Sequence, residues 1–93
     1  MSVDFIKNCI ASVAAEYHIT KVTLFGSRAS GTDRPGSDID LIVEFSGPTS
    51  LLTQARLRER LEAMLSLNVD IVHGPIRSTD MLEIGKVVEL YAA

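Results

Sequence analysis

Residues 21–45 read KVTLFGSRASGTDRPGSDIDLIVEF, and the fold turns on them. Residues 21–26 are a short β-branched and aromatic run closed by glycine, which predicts a strand. Residues 27–31 open a short helix, and residues 32–37, TDRPGS, are turn chemistry throughout. Residues 38–45 predict a second strand. Its side chains alternate, so Ile39, Leu41, Val43 and Phe45 form a wholly apolar face, while Asp38, Asp40, Ile42 and Glu44 share the other. Two acids thus stand two positions apart on the face turned away from the apolar one, just after a glycine- and hydroxyl-rich turn.

Outward from this unit the pattern is helical on both sides. In residues 3–17, Val3, Ile6, Ile10, Val13, Ala14 and Tyr17 recur at threes and fours, with Ser2 as N-cap and Asp4 in the positive first turn. Residues 50–66 predict a helix with Leu51, Leu52, Ala55, Leu61, Met64 and Leu65 apolar and Arg56, Arg58, Glu59, Arg60 and Glu62 polar. Residues 68–73, NVDIVH, predict a third strand ended by Gly74-Pro75. Residues 79–91 predict a last helix, capped by Ser78 or Thr79, with Met81, Leu82, Ile84, Val88 and Tyr91 inward. The expectation is an α/β (α+β) chain: a small mixed three-stranded sheet packed by helices, one domain over residues 1–93.

Composition is consistent with that size. The chain has 93 residues, 46% hydrophobic and 23% charged, enough for one small core and unlike a disordered segment. A net charge of −3 argues against a dedicated nucleic-acid binder. Cys9, alone and within an apolar helical pattern, reads as a small buried hydrophobe and fits a reducing compartment. No signal peptide is visible, and no apolar run approaches the roughly 18 residues that span a bilayer. The expectation is a soluble, cytoplasmic protein.

The acids carry the chemistry. On a strand, positions i and i+2 point the same way, roughly 6–7 Å apart. Two carboxylates so placed repel unless a cation sits between them, and Mg²⁺ is held by one or two carboxylates together with substrate phosphates. D-x-D alone is equally a solvated strand face. Gly26-Ser27 changes that balance: a turn there lets the backbone approach a ligand, its amides favour anions, and the Ser27 hydroxyl donates to a phosphate oxygen. Asp70 stands within the otherwise apolar Val69–Val72 run, where an ionised carboxylate is costly unless it is paired or bound to metal. Beside residues 38–45 it joins Asp38 and Asp40, and three carboxylates can hold two metal ions.

Gly26-Ser27-Arg28-Ala29-Ser30-Gly31, then Ser37-Asp38-Ile39-Asp40-Leu41, then Asp70 in a later strand together resemble the minimal nucleotidyltransferase family of the DNA polymerase β-like superfamily. The resemblance spans almost the whole chain. It implies that Gly26 and Ser27 hold the triphosphate of ATP, that Asp38 and Asp40 bind two Mg²⁺ ions, and that Asp70 binds the catalytic metal and helps deprotonate the incoming hydroxyl. Arg28 stands at the family's Arg position, either as a phosphate contact or paired with an acid. Ser37 precedes the first acid as in the family and fixes the loop by hydrogen bonding. Ser30 departs from relatives that carry Arg there, which removes one positive contact. The resemblance further implies AMP transfer to a tyrosine of a small helical HEPN-domain toxin, with this chain as the antitoxin. Neutralisation by binding alone, and transfer to a small molecule or an RNA end, are the alternatives. His18, His73, Glu44 and the Arg56, Arg58, Arg60 run read as structural or solvated.

Overall fold

The computed structural model describes residues 2–75 and 85–93. The elements in chain order are α1 (Val3–Ala14), β1 (Ile19–Phe25), α2 (Ser27–Ser30), β2 (Ile39–Phe45), α3 (Leu51–Leu65), β3 (Val69–His73) and β4 (Val88–Ala92). The four strands form one mixed sheet in the order β3-β2-β1-β4. β1 runs antiparallel to both β2 and β4, whereas β2 and β3 are parallel. A parallel neighbour needs a crossover, and α3 supplies it.

Local chemistry explains the helices. The Ser2 hydroxyl accepts from the Phe5 amide at 3.2 Å, and the Ser50 hydroxyl accepts from the Thr53 amide at 3.1 Å, so each long helix starts on a serine cap. α1 ends at Ala14, short of the expected residue 17, because the chain turns through His18 at a φ of 55° to enter β1. His18 is exposed, and its carbonyl accepts from the Ser46 amide.

One face of the sheet carries the core. Ile39, Leu41 and Val43 of β2, Val22 and Leu24 of β1 and Val69 of β3 are buried with Ile6, Ile10 and Val13 of α1 and Leu57, Leu61 and Leu65 of α3. The inward stripe of α3 is therefore Leu57-Leu61-Leu65, in i, i+4 steps. Leu51 and Leu52, expected inward, are 83% and 62% exposed. Cys9 is half-buried against the core. Leu57→Ala should cost about 2–5 kcal/mol and lower the melting temperature by about 10 °C or more. Leu51→Ala should change stability by no more than about 0.5 kcal/mol. Urea melts of the two variants check this, and equal costs would contradict the core assignment.

The C-terminal expectation is corrected. The sheet has four strands, not three, and Val88 and Tyr91 lie on β4 rather than on a helix. Met81, Leu82 and Ile84, with the cap at Ser78 or Thr79, lie outside the described residues. A spacing of 84, 88 and 91 fits a helix turn, but Val88-Glu89-Leu90-Tyr91 equally fits a strand, with Leu90 buried and Glu89 exposed. The free edge of β1 decides between them: Lys21 pairs with Ala92 and Leu24 with Val88.

Candidate active site

β2 and β3 bring the acids together. In their parallel register Ile39 lies opposite Val69, Asp40 opposite Asp70 and Leu41 opposite Ile71. Neighbouring strands stand about 4.8 Å apart, so Asp40 and Asp70 share the sheet face that α1 and α3 leave open. Asp38 precedes β2 by one residue and is exposed. The burial argument for Asp70 does not hold: β3 is an edge strand and Asp70 is exposed. Register, not desolvation, makes it a member of the group.

Phe25 pairs with Asp40 across β1 and β2, which sets Gly26 against the Asp40 carboxylate. A Cβ on Gly26 would collide with Asp40 Oδ2 and stand 3.3 Å from its Cγ. Gly26 also has φ 76° and ψ −155°, a conformation essentially confined to glycine. From there the chain enters α2, where the Ala29 and Ser30 amides donate back to the Gly26 carbonyl. The amides of Ser27 and Arg28, at the first helical positions of α2, have no intrahelical partner.

The acids repel one another. The Asp40 carboxyl is raised above its ordinary value, first by burial, then by the charges of Asp70 and Asp38 and by a hydrogen bond shared with Asp70. A raised carboxyl holds its proton more tightly in the folded chain than in the unfolded one. Stability is therefore full below the ordinary carboxylate pKa and declines as the pH rises through the folded value. Asp40→Asn should consequently melt a few degrees higher than the parent at pH 7 without metal, and the gap should close below about pH 4. Melting curves across pH check the sign.

Arg28 ties the loop between Ser27 and Asp38. Its side chain is 8% exposed, and NH1 lies 3.6 Å from Asp33 Oδ2. Nε and NH2 donate to the Ser37 carbonyl at 3.2 and 2.9 Å. The Ser37 hydroxyl accepts from the Arg34 amide at 2.8 Å, and the Ser37 amide donates to the Arg34 carbonyl at 2.9 Å. The guanidinium is thus spent on the residue before Asp38. Arg28→Lys loses the two-pronged grip on one carbonyl, since a lysine cannot reproduce the planar fork. We expect about a tenfold loss in kcat with the melting temperature changed by only a few degrees, measured by transfer assay and thermal melt.

The donor set fits a hard divalent cation: Asp38, Asp40 and Asp70 offer only carboxylate oxygens, and their mutual repulsion is what such an ion relieves. Among the described residues, no three or more acidic, histidine or cysteine side chains converge closely enough to hold a metal ion by themselves. An open carboxylate set suits Mg²⁺, which completes its coordination with substrate phosphates and water. Glu44 lies four residues beyond Asp40, about 13 Å along the strand. His73 pairs with Val43 and packs edge-on to Phe45, with ring centroids 5.4 Å apart. Neither joins the acids. Arg60 pairs with Glu16. Sequence reasoning missed two features: the steric fit of Gly26 on Asp40, and a recess beside Asp70 formed by Leu51, Gln54, Ala55 and Arg58 of α3. Two leucines directly after the Ser50 cap were the available signal for the second.

The chain matches the Nucleotidyltransferase domain family over residues 6–90. It is 35% identical over 72 residues to an inferred protein adenylyltransferase of Methanocaldococcus jannaschii, covering 77% of each protein. Among solved structures it resembles a chain of a toxin–antitoxin complex with AMP-PNP, with a TM-score of 0.77 and 24% identity over 94% of this chain and 73% of that one. It also resembles a chain of the complex of a tri-AMPylated Shewanella oneidensis HEPN toxin with an MNT antitoxin, with a TM-score of 0.72 and 20% identity over 99% of this chain and 74% of that one. At these identities the two structures speak for the fold alone. The family match, which reaches from α1 to β4 and takes in Gly26-Ser27, Asp38, Asp40 and Asp70, makes this chain a member of the nucleotidyltransferase family.

Proposed function

We propose that this chain transfers AMP from ATP to a tyrosine hydroxyl of a HEPN-domain toxin and thereby acts as its antitoxin. The observation that carries the reading is the register that sets Asp40 beside Asp70 on the open sheet face, with Gly26 packed on Asp40. The kinship with protein adenylyltransferases and the likeness to a toxin–antitoxin pair whose HEPN toxin carries AMP support the choice of acceptor.

Each residue has a task. Gly26 lets the backbone approach the triphosphate; the Ser27 hydroxyl and the first amides of α2 hold its oxygens. Asp38, Asp40 and Asp70 would hold two Mg²⁺ ions, which supply charge neutralisation at the phosphates when bound. Arg28 and Ser37 keep Asp38 in position through the loop. Asp70 takes the proton of the acceptor hydroxyl as its oxygen attacks the α-phosphorus. The bond from that phosphorus to the α–β bridging oxygen breaks, and its electron pair leaves with pyrophosphate. Positioning and charge account for most of the rate. No described helix is long and apolar enough to cross a membrane.

The test is transfer of an α-phosphate label from ATP, with Mg²⁺, to a purified HEPN partner. Label on the partner that requires Mg²⁺ supports the reading. A stable complex that takes no label under any nucleotide would replace it with neutralisation by contact.

A further inference from the structure

Asp70 faces two ways. Toward β2 it stands beside Asp40, and toward the outer edge of the sheet it lines a recess of about 260 Å³ with Ile71 and with Leu51, Gln54, Ala55 and Arg58 of α3. We propose that this recess is the acceptor-side subsite: it receives the hydroxyl-bearing side chain of the partner polypeptide, with Leu51 and Leu52 packing against an apolar neighbour of that residue and Arg58 pairing with an acidic one. The inference rests on the transfer reading above and adds to it where the acceptor docks and which residues select it.

Displacement at phosphorus orients the site. The attacking oxygen enters opposite the leaving group, so nucleophile and pyrophosphate lie on opposite sides of the α-phosphorus. The anion-binding backbone is at Gly26 and Ser27, at the end of β1. Asp40 follows on β2 and Asp70 on β3, the far edge of the sheet. Pyrophosphate on the β1 side leaves the β3 side for the nucleophile, and the recess opens there. Its volume is below the usual range of a small-molecule pocket, about 300–1,000 Å³, and suits one inserted side chain rather than a second nucleotide.

The surroundings suit a polypeptide. Leu51 and Leu52 are 83% and 62% exposed, and Val72 on β3 is 39% exposed. Leu51 lines the recess with Asp70, and none of the three belongs to the core cluster. Leu51, Gln54, Ala55 and Arg58 follow one another at threes and fours, along the flank of α3 that adjoins the buried Leu57-Leu61-Leu65 stripe. Arg58 is exposed and lines the recess with Asp70. It is the positive group on the acceptor side of a cluster that otherwise repels acidic chains, so it favours a segment carrying a carboxylate near the acceptor residue.

The experiment compares wild type, Leu51→Ser/Leu52→Ser and Arg58→Ala. It measures steady-state transfer to the HEPN partner with ATP and acceptor varied separately, and partner binding with AMP-PNP and Mg²⁺ present. Both changes are at exposed positions, and a thermal melt verifies that the fold is kept. The expected result is an acceptor KM raised about 10-fold or more in each variant, with the KM for ATP unchanged. Arg58→Lys should restore most of the loss by keeping the charge. Wild-type acceptor kinetics in both variants would overturn the proposal. If wild type binds the partner but transfers nothing, the transfer reading fails, and binding then decides the subsite: about 10-fold weaker binding in the variants supports it, and unchanged binding overturns it.

Discussion

Replacing Asp38 and Asp40 together by asparagine should reduce AMP transfer by about 1,000-fold or more while the protein folds as before. The size follows from the reaction: little covalent chemistry falls to the protein, so the groups that gather and neutralise charge account for most of the rate. The retained fold follows from the structure. Asp38 is exposed and Asp40 faces away from the core, whose β2 members are Ile39, Leu41 and Val43. Burial and the neighbouring acids already raise the Asp40 carboxyl, so the variant should also melt at least as high as the parent at neutral pH. Loss of transfer together with a lower melting temperature would mean that the two acids serve the fold rather than the reaction.

Gly26→Ala should be nearly as damaging, by another route. The added Cβ collides with Asp40 Oδ2, and the alanine must also adopt a backbone conformation essentially confined to glycine. The conformational cost is of order 1–3 kcal/mol. To accommodate the methyl, either Asp40 moves or the entry to α2 does, and both lie in the site. A displacement of about 1 Å at such a centre costs about 100-fold in rate. Activity should therefore fall about 100-fold and the melting temperature by several degrees. Gly31→Ala is the control: its φ is also positive, at 80°, but a Cβ there meets nothing within 4 Å. It should cost stability and leave transfer within a few-fold of wild type. Equal losses of activity would show that backbone strain, not the contact with Asp40, is what Gly26 relieves.

The strand pair at the centre was legible because its signals are local. Ile39-x-Leu41-x-Val43-x-Phe45 is a full period-2 run, and residues 32–37 allow little but a turn. The serine caps at Ser2 and Ser50 were legible for the same reason. β4 was not: five residues cannot separate a helical from a strand period, and its partner, β1, lies more than sixty positions earlier. Asp70 does lie opposite Asp40, but the burial expected of it gives way to exposure on an edge strand. What unites it with Asp40 is a register, and a register becomes visible only once two strands are paired. On α3 the adjacent Leu51 and Leu52 set the expected phase of the apolar stripe, whereas packing follows Leu57, Leu61 and Leu65. That error concealed the recess beside Asp70. Arg28 had two open roles in the sequence, and the hydrogen bonds to the Ser37 carbonyl favour the structural one.

The most direct test of the central claim is the intact mass of the HEPN partner after incubation with this chain, ATP and Mg²⁺, followed by peptide mapping, with Asp38→Asn/Asp40→Asn run in parallel. The account predicts one or more added AMP groups on a tyrosine with the parent chain and an unshifted mass with the variant. An unshifted mass with the parent, or the same addition with both chains, would contradict it.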